Sequence, residues 1–326
     1  MAAIEKWLLA AGSLLIVATA GGASAAEPLK VVASFSILGD LVAEVGGEHV
    51  DLVTLVGPNA DAHVYQPSPA DARATAAADL VVVNGLGFEG WLDRLAEASG
   101  YKGTVTVASE GADLIEVAEA EAAHEQEAEE AGHLETAEAA HGESGDDDHE
   151  GGDPHAWQAI ANAEIYVKNI ADALCAAERD SCADFTANAA RYTEELKALD
   201  ASIKSGFAAV PEERRKVITS HDAFGYFARA YGIEFLAPQG ASTESEASAA
   251  DVARLIEQIR EAGVTALFVE NIADPRLVEQ IGRETGVRPG GALFSDALSD
   301  SGGPAPTYLD MMRHNAGVLQ AAMLGS

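Results

Sequence analysis

The fold is decided by residues 30–56, which read KVVASFSILGDLVAEVGGEHVDLVTLV. The β-branched and apolar residues of Lys30–Phe35 predict a strand, and Ile37–Val45 predicts a helix that ends at two glycines. Asp51–Val56 predicts a second strand, and the apolar run Leu80–Val83 is typical of a strand buried on both faces. Strands and helices that alternate in this way predict a parallel α/β sheet.

A second alternation of strands and helices follows residue 211, and it predicts a second sheet of the same kind. Its strands are expected at Lys216–Thr219, Ile233–Leu236, Ala266–Val269 and Ala292–Phe294. Between the two alternations, apolar residues recur every three or four positions and predict one long helix: Phe185, Ala189, Tyr192, Leu196, Leu199, Ile203 and Phe207.

We therefore expect two α/β lobes, each a mostly parallel sheet flanked by helices, joined by one long rigid helix. The N-terminal lobe, the linking helix and the C-terminal lobe are predicted at residues 27–182, 183–210 and 211–326. Ligands of α/β sheets bind beyond the carboxyl ends of the strands, so a binding cleft is expected between the lobes.

Charge and cysteine content narrow the function classes. The 326 residues include 53 Asp and Glu against 20 Lys and Arg, a formal net charge of −33. Such a chain cannot replace the counterions along a nucleic acid, so no nucleic-acid partner is expected. Its two cysteines exclude a thiolate zinc finger or an iron–sulfur cluster built from this chain alone.

Residues 1–26 predict a secretory signal peptide. Lys6 precedes an uncharged apolar run, Trp7–Ala20, and small residues follow it, so cleavage is expected near Ala25. The alternative is a membrane anchor, for which the run is short. No cysteine lies near the cleavage point, which argues against a lipid-anchored protein. We expect a soluble exported protein after cleavage.

Export also decides how the cysteines are interpreted. Cys175 and Cys182 flank a polar stretch, and in an oxidising compartment a disulfide between them is expected. It would tie the end of one helix to the start of the next. The alternative is a pair of free, buried thiols.

Three histidines and one aspartate lie where a predicted strand ends or a predicted helix begins. His63 and His221 each follow a strand, Asp296 follows the last strand, and His155 precedes a helix. A lone histidine more often caps a helix or faces solvent. Three imidazoles and one carboxylate from four loops, however, would form a tetrahedral shell for a borderline-soft divalent metal ion.

An acidic segment at about residues 116–151 interrupts the first lobe. Between Glu116 and Glu150 it holds 14 Asp or Glu, four His and no Lys or Arg. We expect a disordered loop, because the segment cannot bury enough apolar surface to fold. Its four histidines would capture Zn²⁺ weakly and raise its local concentration: His124, His133, His141 and His149. The alternative is a solvated linker whose histidines are incidental.

Four motifs resemble those of the metal-binding solute receptors of ABC-type zinc and manganese importers. They are DAHVYQP at Asp61–Pro67, DPHAW at Asp153–Trp157, SHDAFGYF at Ser220–Phe227 and TYLDMMRHN at Thr307–Asn315. The similarity extends from about Leu29 to Met323 and is interrupted by the acidic segment. The resemblance implies a two-lobed periplasmic fold whose metal ligands are His63, His155, His221 and Asp296. One departure is Ala62, where many members carry Pro or an acid before the first histidine.

The resemblance implies a receptor that captures an ion with high affinity and delivers it to an ABC-type permease in the inner membrane. A monomer is expected, with a periplasmic metallochaperone as a further partner. Manganese receptors of the family tend to present Glu where His221 stands. Three imidazoles favour Zn²⁺ as the transported ligand, with Mn²⁺ as the alternative.

A third hypothesis is an exported zinc hydrolase. It would keep three histidines and an activated water on the metal, with Asp296 or Asp222 as general base. The chain has no helical His-Glu-x-x-His motif and no serine nucleophile elbow. We therefore expect a receptor and not an enzyme.

Overall fold

The computed structural model describes residues 27–115, 152–245, 247–264 and 266–325. The predicted signal peptide and the acidic segment, with its four histidines, lie outside these residues. Among the described residues, no helix combines the length and the apolarity that crossing a membrane requires.

The first sheet has four parallel strands in the order β2-β1-β3-β4. The strands are β1 Leu29–Phe35, β2 Val50–Val56, β3 Leu80–Val83 and β4 Thr104–Val107. The helices between them are α1 Ser36–Gly46, α2 Pro69–Ala76 and α3 Leu92–Ser99. Every residue of β3 is buried, as the continuous apolar run predicts.

Two local features fix how this sheet and its helices meet. Ser68 and Asp71 form a reciprocal capping box at the start of α2, immediately after the loop that carries His63. Gly39 lets α1 lie against β2, because a Cβ at this position would stand 2.4 Å from Oγ1 of Thr54.

The second sheet repeats the strand order of the first, as β6-β5-β7-β8, and is also parallel. Its strands are β5 Lys216–Ile218, β6 Glu234–Leu236, β7 Ala266–Glu270 and β8 Pro289–Leu293. Its helices are α6 Gly225–Tyr231, α7 Ala249–Ala262, α8 Pro275–Thr285 and α9 Tyr308–Leu324. The predicted architecture of two parallel sheets flanked by helices is confirmed.

Two long helices lie between the sheets in sequence, α4 Ile160–Ala177 and α5 Cys182–Ala208. The apolar face predicted for the second is buried in full, from Phe185 to Phe207. This 27-residue helix is about 40 Å long and packs against α1 and α4 on one side and α6 and α9 on the other. The predicted disulfide between Cys175 and Cys182 closes the turn between α4 and α5.

The two lobes are joined by a shared hydrophobic core as well as by α5. One continuous hydrophobic core extends from the first sheet through α5 into the second lobe, where it includes Phe224, Phe268 and Met312. A separate, smaller core lies under α7 and α8 and includes Leu255 and Ile281. A shared apolar core resists wide separation of the lobes, because opening it would expose apolar surface to water.

Asp40 of α1 is a half-buried carboxylate beneath the start of α9. Its Oδ2 accepts a hydrogen bond from the backbone N–H of Tyr308, 2.8 Å away. Burial raises the pKa of Asp40 to about 6, although the bond from Tyr308 opposes the shift. The folded state therefore binds the Asp40 proton more tightly than the unfolded state does. Asp40 thus lowers stability above about pH 6, and this penalty vanishes as the pH falls toward about 4.

We predict that Asp40→Asn is more stable than the wild type at about pH 7.5, by on the order of 1–2 kcal/mol. The amide can still accept the bond from Tyr308 and buries no charge. The difference should shrink toward about pH 4, and urea unfolding of the metal-free proteins at both pH values measures it. Asp40→Ala, which removes the acceptor, should be less stable at both. A stability gain that is the same at both pH values would contradict the prediction.

Candidate metal centre

The four residues predicted to form a metal site meet in one buried cluster. One ligand atom from each of His63, His155, His221 and Asp296 lies within 4.8 Å of the others. His63 is 5% exposed, and the other three are fully buried. His63 lies in the loop after β2, His155 before the short helical turn Ala156–Gln158, His221 after β5 and Asp296 after β8.

Asp296 stands at the centre of the cluster and faces all three imidazoles. Its Oδ2 lies 3.1 Å from Nε2 of His221 and 3.4 Å from Nε2 of His63. Its Oδ1 lies 3.5 Å from Nε2 of His155. Within the described part of the chain, none of these five atoms has a hydrogen-bond partner. Buried polar atoms without partners are costly, and a divalent cation bound among them would satisfy all five.

The charges of the cluster shift one another's proton affinities. Burial raises the pKa of Asp296, but His221 and His155 outweigh it and hold that pKa well below its usual range. Burial lowers the pKa of His221, but Glu270 and Asp296 outweigh it and raise that pKa well above its usual value. Burial likewise lowers the pKa of His155, and Asp296 and Asp153 raise it overall. A metal ion must displace these protons, so its apparent affinity falls as the pH falls.

Two carboxylates behind the cluster fix the orientation of two imidazoles. Oε2 of Glu270 lies 2.6 Å from Nδ1 of His221, while its Oε1 accepts hydrogen bonds from the backbone N–H groups of Ser220 and His221. Oδ1 of Asp153 lies 2.7 Å from Nδ1 of His155 and also accepts from its backbone N–H. Asp153 thus holds the ring of His155 through a hydrogen bond, and Glu270 faces Nδ1 of His221 as an ion pair, so that Nε2 of each ring points toward the centre.

Aromatic rings pack against the other sides of the imidazoles. Trp157 lies edge-on to His155, with ring centroids 5.3 Å apart. Phe88, which the sequence analysis did not single out, lies edge-on to His63 at 4.6 Å. Tyr65, two residues after His63 in the sequence, packs edge-on against Trp91.

Phe88 is positioned by a tight turn after β3. Gly85, Leu86 and Gly87 all have positive φ angles, of 84°, 57° and 74°. Such angles are unusual for leucine and readily adopted by glycine. The buried Glu89 anchors the turn, because its carboxylate accepts hydrogen bonds from Ser34 Oγ and from the backbone N–H groups of residues 84 and 85. The glycines on either side of Leu86 are the local sequence feature from which a turn can be predicted here.

Residues outside the cluster have other partners. Asp222, considered as a general base, is not among the four clustered groups of the described chain, and its backbone N–H donates to Gln239. His49 pairs with Asp184 at 2.9 Å, and His314 bonds the carbonyl of Ala292 at 3.0 Å. Weak capture of Zn²⁺ by the four histidines of the acidic segment stays a prediction, because that segment lies outside the described residues.

A buried cluster of this composition between two parallel sheets fits a metal-binding protein, and the comparisons with known proteins identify its family. The model of the ZnuA family, described as "Zinc-uptake complex component A periplasmic", matches residues 31–322. The chain belongs to this family. Its members are solute-binding receptors for metal transport and not enzymes, which confirms the expectation that no reaction is catalysed.

Curated relatives cover almost the whole chain. The manganese-binding lipoprotein MntA of Halalkalibacterium halodurans is 32% identical over 289 residues, which are 89% of this chain and 86% of that protein. The metal ABC transporter substrate-binding lipoprotein SsaB of Streptococcus sanguinis is 31% identical over 299 residues, 90% of this chain and 88% of the relative.

Solved structures share the fold. The periplasmic zinc-binding protein TroA from Treponema pallidum superposes with a TM-score of 0.77 at 31% identity, covering 91% of this chain and 99% of that chain. A manganese-bound periplasmic metal-binding protein from Candidatus Liberibacter asiaticus gives a TM-score of 0.73 at 27% identity, covering 90% and 98%. A cadmium-bound structure from the same organism also matches.

We predict that Glu270→Gln and Asp153→Asn each weaken metal binding by about 10- to 100-fold, because each removes the charge that orients and polarises a ligand imidazole. Isothermal titration calorimetry with Zn²⁺ in the presence of a competing chelator measures the change. Glu48→Gln, the same substitution at an exposed position, serves as the control and should bind like the wild type. Equal affinities for all four proteins would show that the two carboxylates have no part in metal binding.

Proposed function

We propose that this protein is an exported receptor that captures a divalent transition-metal ion and delivers it to an ABC-type importer in the inner membrane. Membership of the receptor family supports the class of function. The observation that carries the proposal is the buried cluster, in which three Nε2 atoms and two carboxylate oxygens converge without hydrogen-bond partners among the described residues. We propose that His63, His155, His221 and Asp296 are the ligands. Because all four come from one chain, a monomer suffices for binding.

Two kinds of evidence bear on which ion binds: the chemistry of the four side chains and the names of the relatives. Three imidazoles and one carboxylate form a ligand set that suits Zn²⁺. The relatives named above favour Mn²⁺ at least as well, since one is called manganese-binding and a solved neighbour is manganese-bound. We propose that the site accepts both ions. Zinc should bind more tightly, as the general affinity order of divalent metals requires, and manganese is the second candidate for the transported ion.

The cellular location is part of the same proposal. The relatives are named lipoproteins, and such anchoring needs a cysteine at the cleavage point. This chain has two cysteines, and both form the disulfide between α4 and α5. We propose that cleavage near Ala25 leaves the receptor in the periplasm without a lipid.

The acidic segment has a separate role in this proposal. The described residues that flank it lie near the cluster, because Asp153, which orients His155, donates its backbone N–H to the carbonyl of Ile115. We propose that the segment captures Zn²⁺ weakly through His124, His133, His141 and His149 and raises its concentration at the tight site.

The ligand assignment predicts that the triple variant His63→Ala, His155→Ala, His221→Ala loses tight metal binding. Elemental analysis of the exported protein after dialysis against a weak chelator should find about one ion per chain in the wild type and close to none in the variant. Deletion of Ala118–Gly151 is the matched control, since it removes four histidines but should keep the tight ion and lose weakly held zinc in calorimetry. Loss of the tight ion in the deletion, or its retention in the triple variant, would refute the assignment.

The ion preference predicts a second result. In competition dialysis the wild type should hold Zn²⁺ at least roughly 100-fold more tightly than Mn²⁺, and His221→Glu should reduce that ratio by at least roughly tenfold, because a carboxylate is a harder ligand. Asp296→His, the opposite exchange, should not favour manganese. A wild-type ratio near one, together with manganese in the protein isolated from its own cells, would make Mn²⁺ the transported ion.

A further inference from the structure

The two sides of the metal cluster are closed in different ways. On one side, the carbonyl of Ser295 accepts hydrogen bonds from Nε1 of Trp157 at 3.0 Å and from Nε2 of Gln158 at 2.7 Å. These groups are fully buried, and they join the loop of His155 to the loop of Asp296. Water cannot reach these buried hydrogen bonds and take the place of either partner, so the two loops stay together.

On the other side, one carboxylate joins the lobes at a position that water reaches. Oδ1 of Asp61 accepts from the backbone N–H of His63 at 2.9 Å. Oδ2 of the same side chain accepts from Oγ1 of Thr243 at 2.7 Å, and Thr243 belongs to the C-terminal lobe. Both Asp61 and Thr243 are partly exposed. The loop that carries His63 is therefore tied to the other lobe through a bond that water can replace.

The segment that carries Thr243 is in turn tied to the loop of His221. The backbone N–H of Asp222 donates to the carbonyl of Gln239 at 3.1 Å, and Nε2 of Gln239 donates to the carbonyl of Ser245 at 2.6 Å. The bond between Asp61 and Thr243 thus connects two ligand loops. Their imidazoles, those of His63 and His221, have centroids 6.0 Å apart.

A second exposed contact supports the same loop. The backbone N–H of Asn59 donates to the carbonyl of Leu298 at 2.9 Å, and its Nδ2 donates to Asp300 at 3.1 Å. Asn59 has a φ of 55°, a conformation that asparagine tolerates better than most residues. The contacts of residues 59–61 with the C-terminal lobe therefore lie at the solvent-exposed edge of the site.

We propose that the bond between Asp61 and Thr243 is a latch that sets the rate of metal release. When it opens, the His63 loop separates from the His221 loop, while His155 and Asp296 stay joined by the buried Ser295 contacts. The ion then leaves between His63 and His221. Asp61 and Thr243 are positioning residues, since neither belongs to the cluster of ligand atoms. The inference rests on the proposed function, because a latch needs an ion to retain.

The test uses the full chain loaded with Zn²⁺ and measures release into excess chelator by stopped flow. Thr243→Val removes the hydroxyl donor at constant shape and should raise the release rate at least threefold. Thr243→Ser keeps the donor and should restore the wild-type rate. Thr285→Val is the matched control, because it removes a hydroxyl that bonds the carbonyl of Ile281 in α8, away from the cluster.

A parallel measurement separates a latch from damage to the site. With Co²⁺ in place of Zn²⁺, the visible absorption spectrum should be the same in Thr243→Val and the wild type, because the four ligands are unchanged. A release rate equal to that of the wild type, an equal increase in Thr285→Val, or an altered Co²⁺ spectrum would overturn the latch. A wild type that retains no ion would instead overturn the proposed function.

Discussion

The structure depends on one carboxylate that the fold removes from water. Asp296 is fully buried, and a charge in such a place is stable only when opposite charges surround it. The three imidazoles supply that charge when protonated, and a divalent cation would supply it with greater density. Behind the imidazoles, Glu270 and Asp153 add two more carboxylates. When the imidazoles give up their protons to bind a metal, the three carboxylates remain, and their charge favours a cation over a neutral or anionic ligand.

The fold brings these groups together because two sheets of the same strand order place their loops around one centre. The shared core and α5 hold the lobes at a fixed distance, so large lobe movements are opposed. Because the lobes are held in place, metal exchange has to occur through movement of the loops. The contacts of Asp61 and Asn59 are the exposed ones among those described between the ligand loops, and they are therefore the ones that can exchange with water at low cost.

Much of this arrangement follows from local sequence. The strands, the capping box at Ser68 and the long amphipathic helix are each encoded by local sequence patterns. Of the four clustered residues, three follow a strand and His155 precedes a helical turn. Contacts between distant segments were not predictable in this way. Asp61 and Thr243 are 182 residues apart, and Phe88 reaches His63 only because three residues with positive φ turn the chain. Glu270 is the last residue of β7, and its contact with His221 depends on the pairing of β5 with β7.

The proposal that the cluster accepts two metals rests on the two carboxylate oxygens of Asp296, which both face imidazoles. Oδ2 of Asp296 faces His63 and His221, and Oδ1 faces His155. If one oxygen binds, three nitrogens and one oxygen give the tetrahedral shell that Zn²⁺ prefers. If both bind, the shell gains a second oxygen and a fifth position, which suits a harder ion such as Mn²⁺. Under the proposed function, the distance between the His63 loop and Asp296 would then act on ion choice together with the identity of the four ligands.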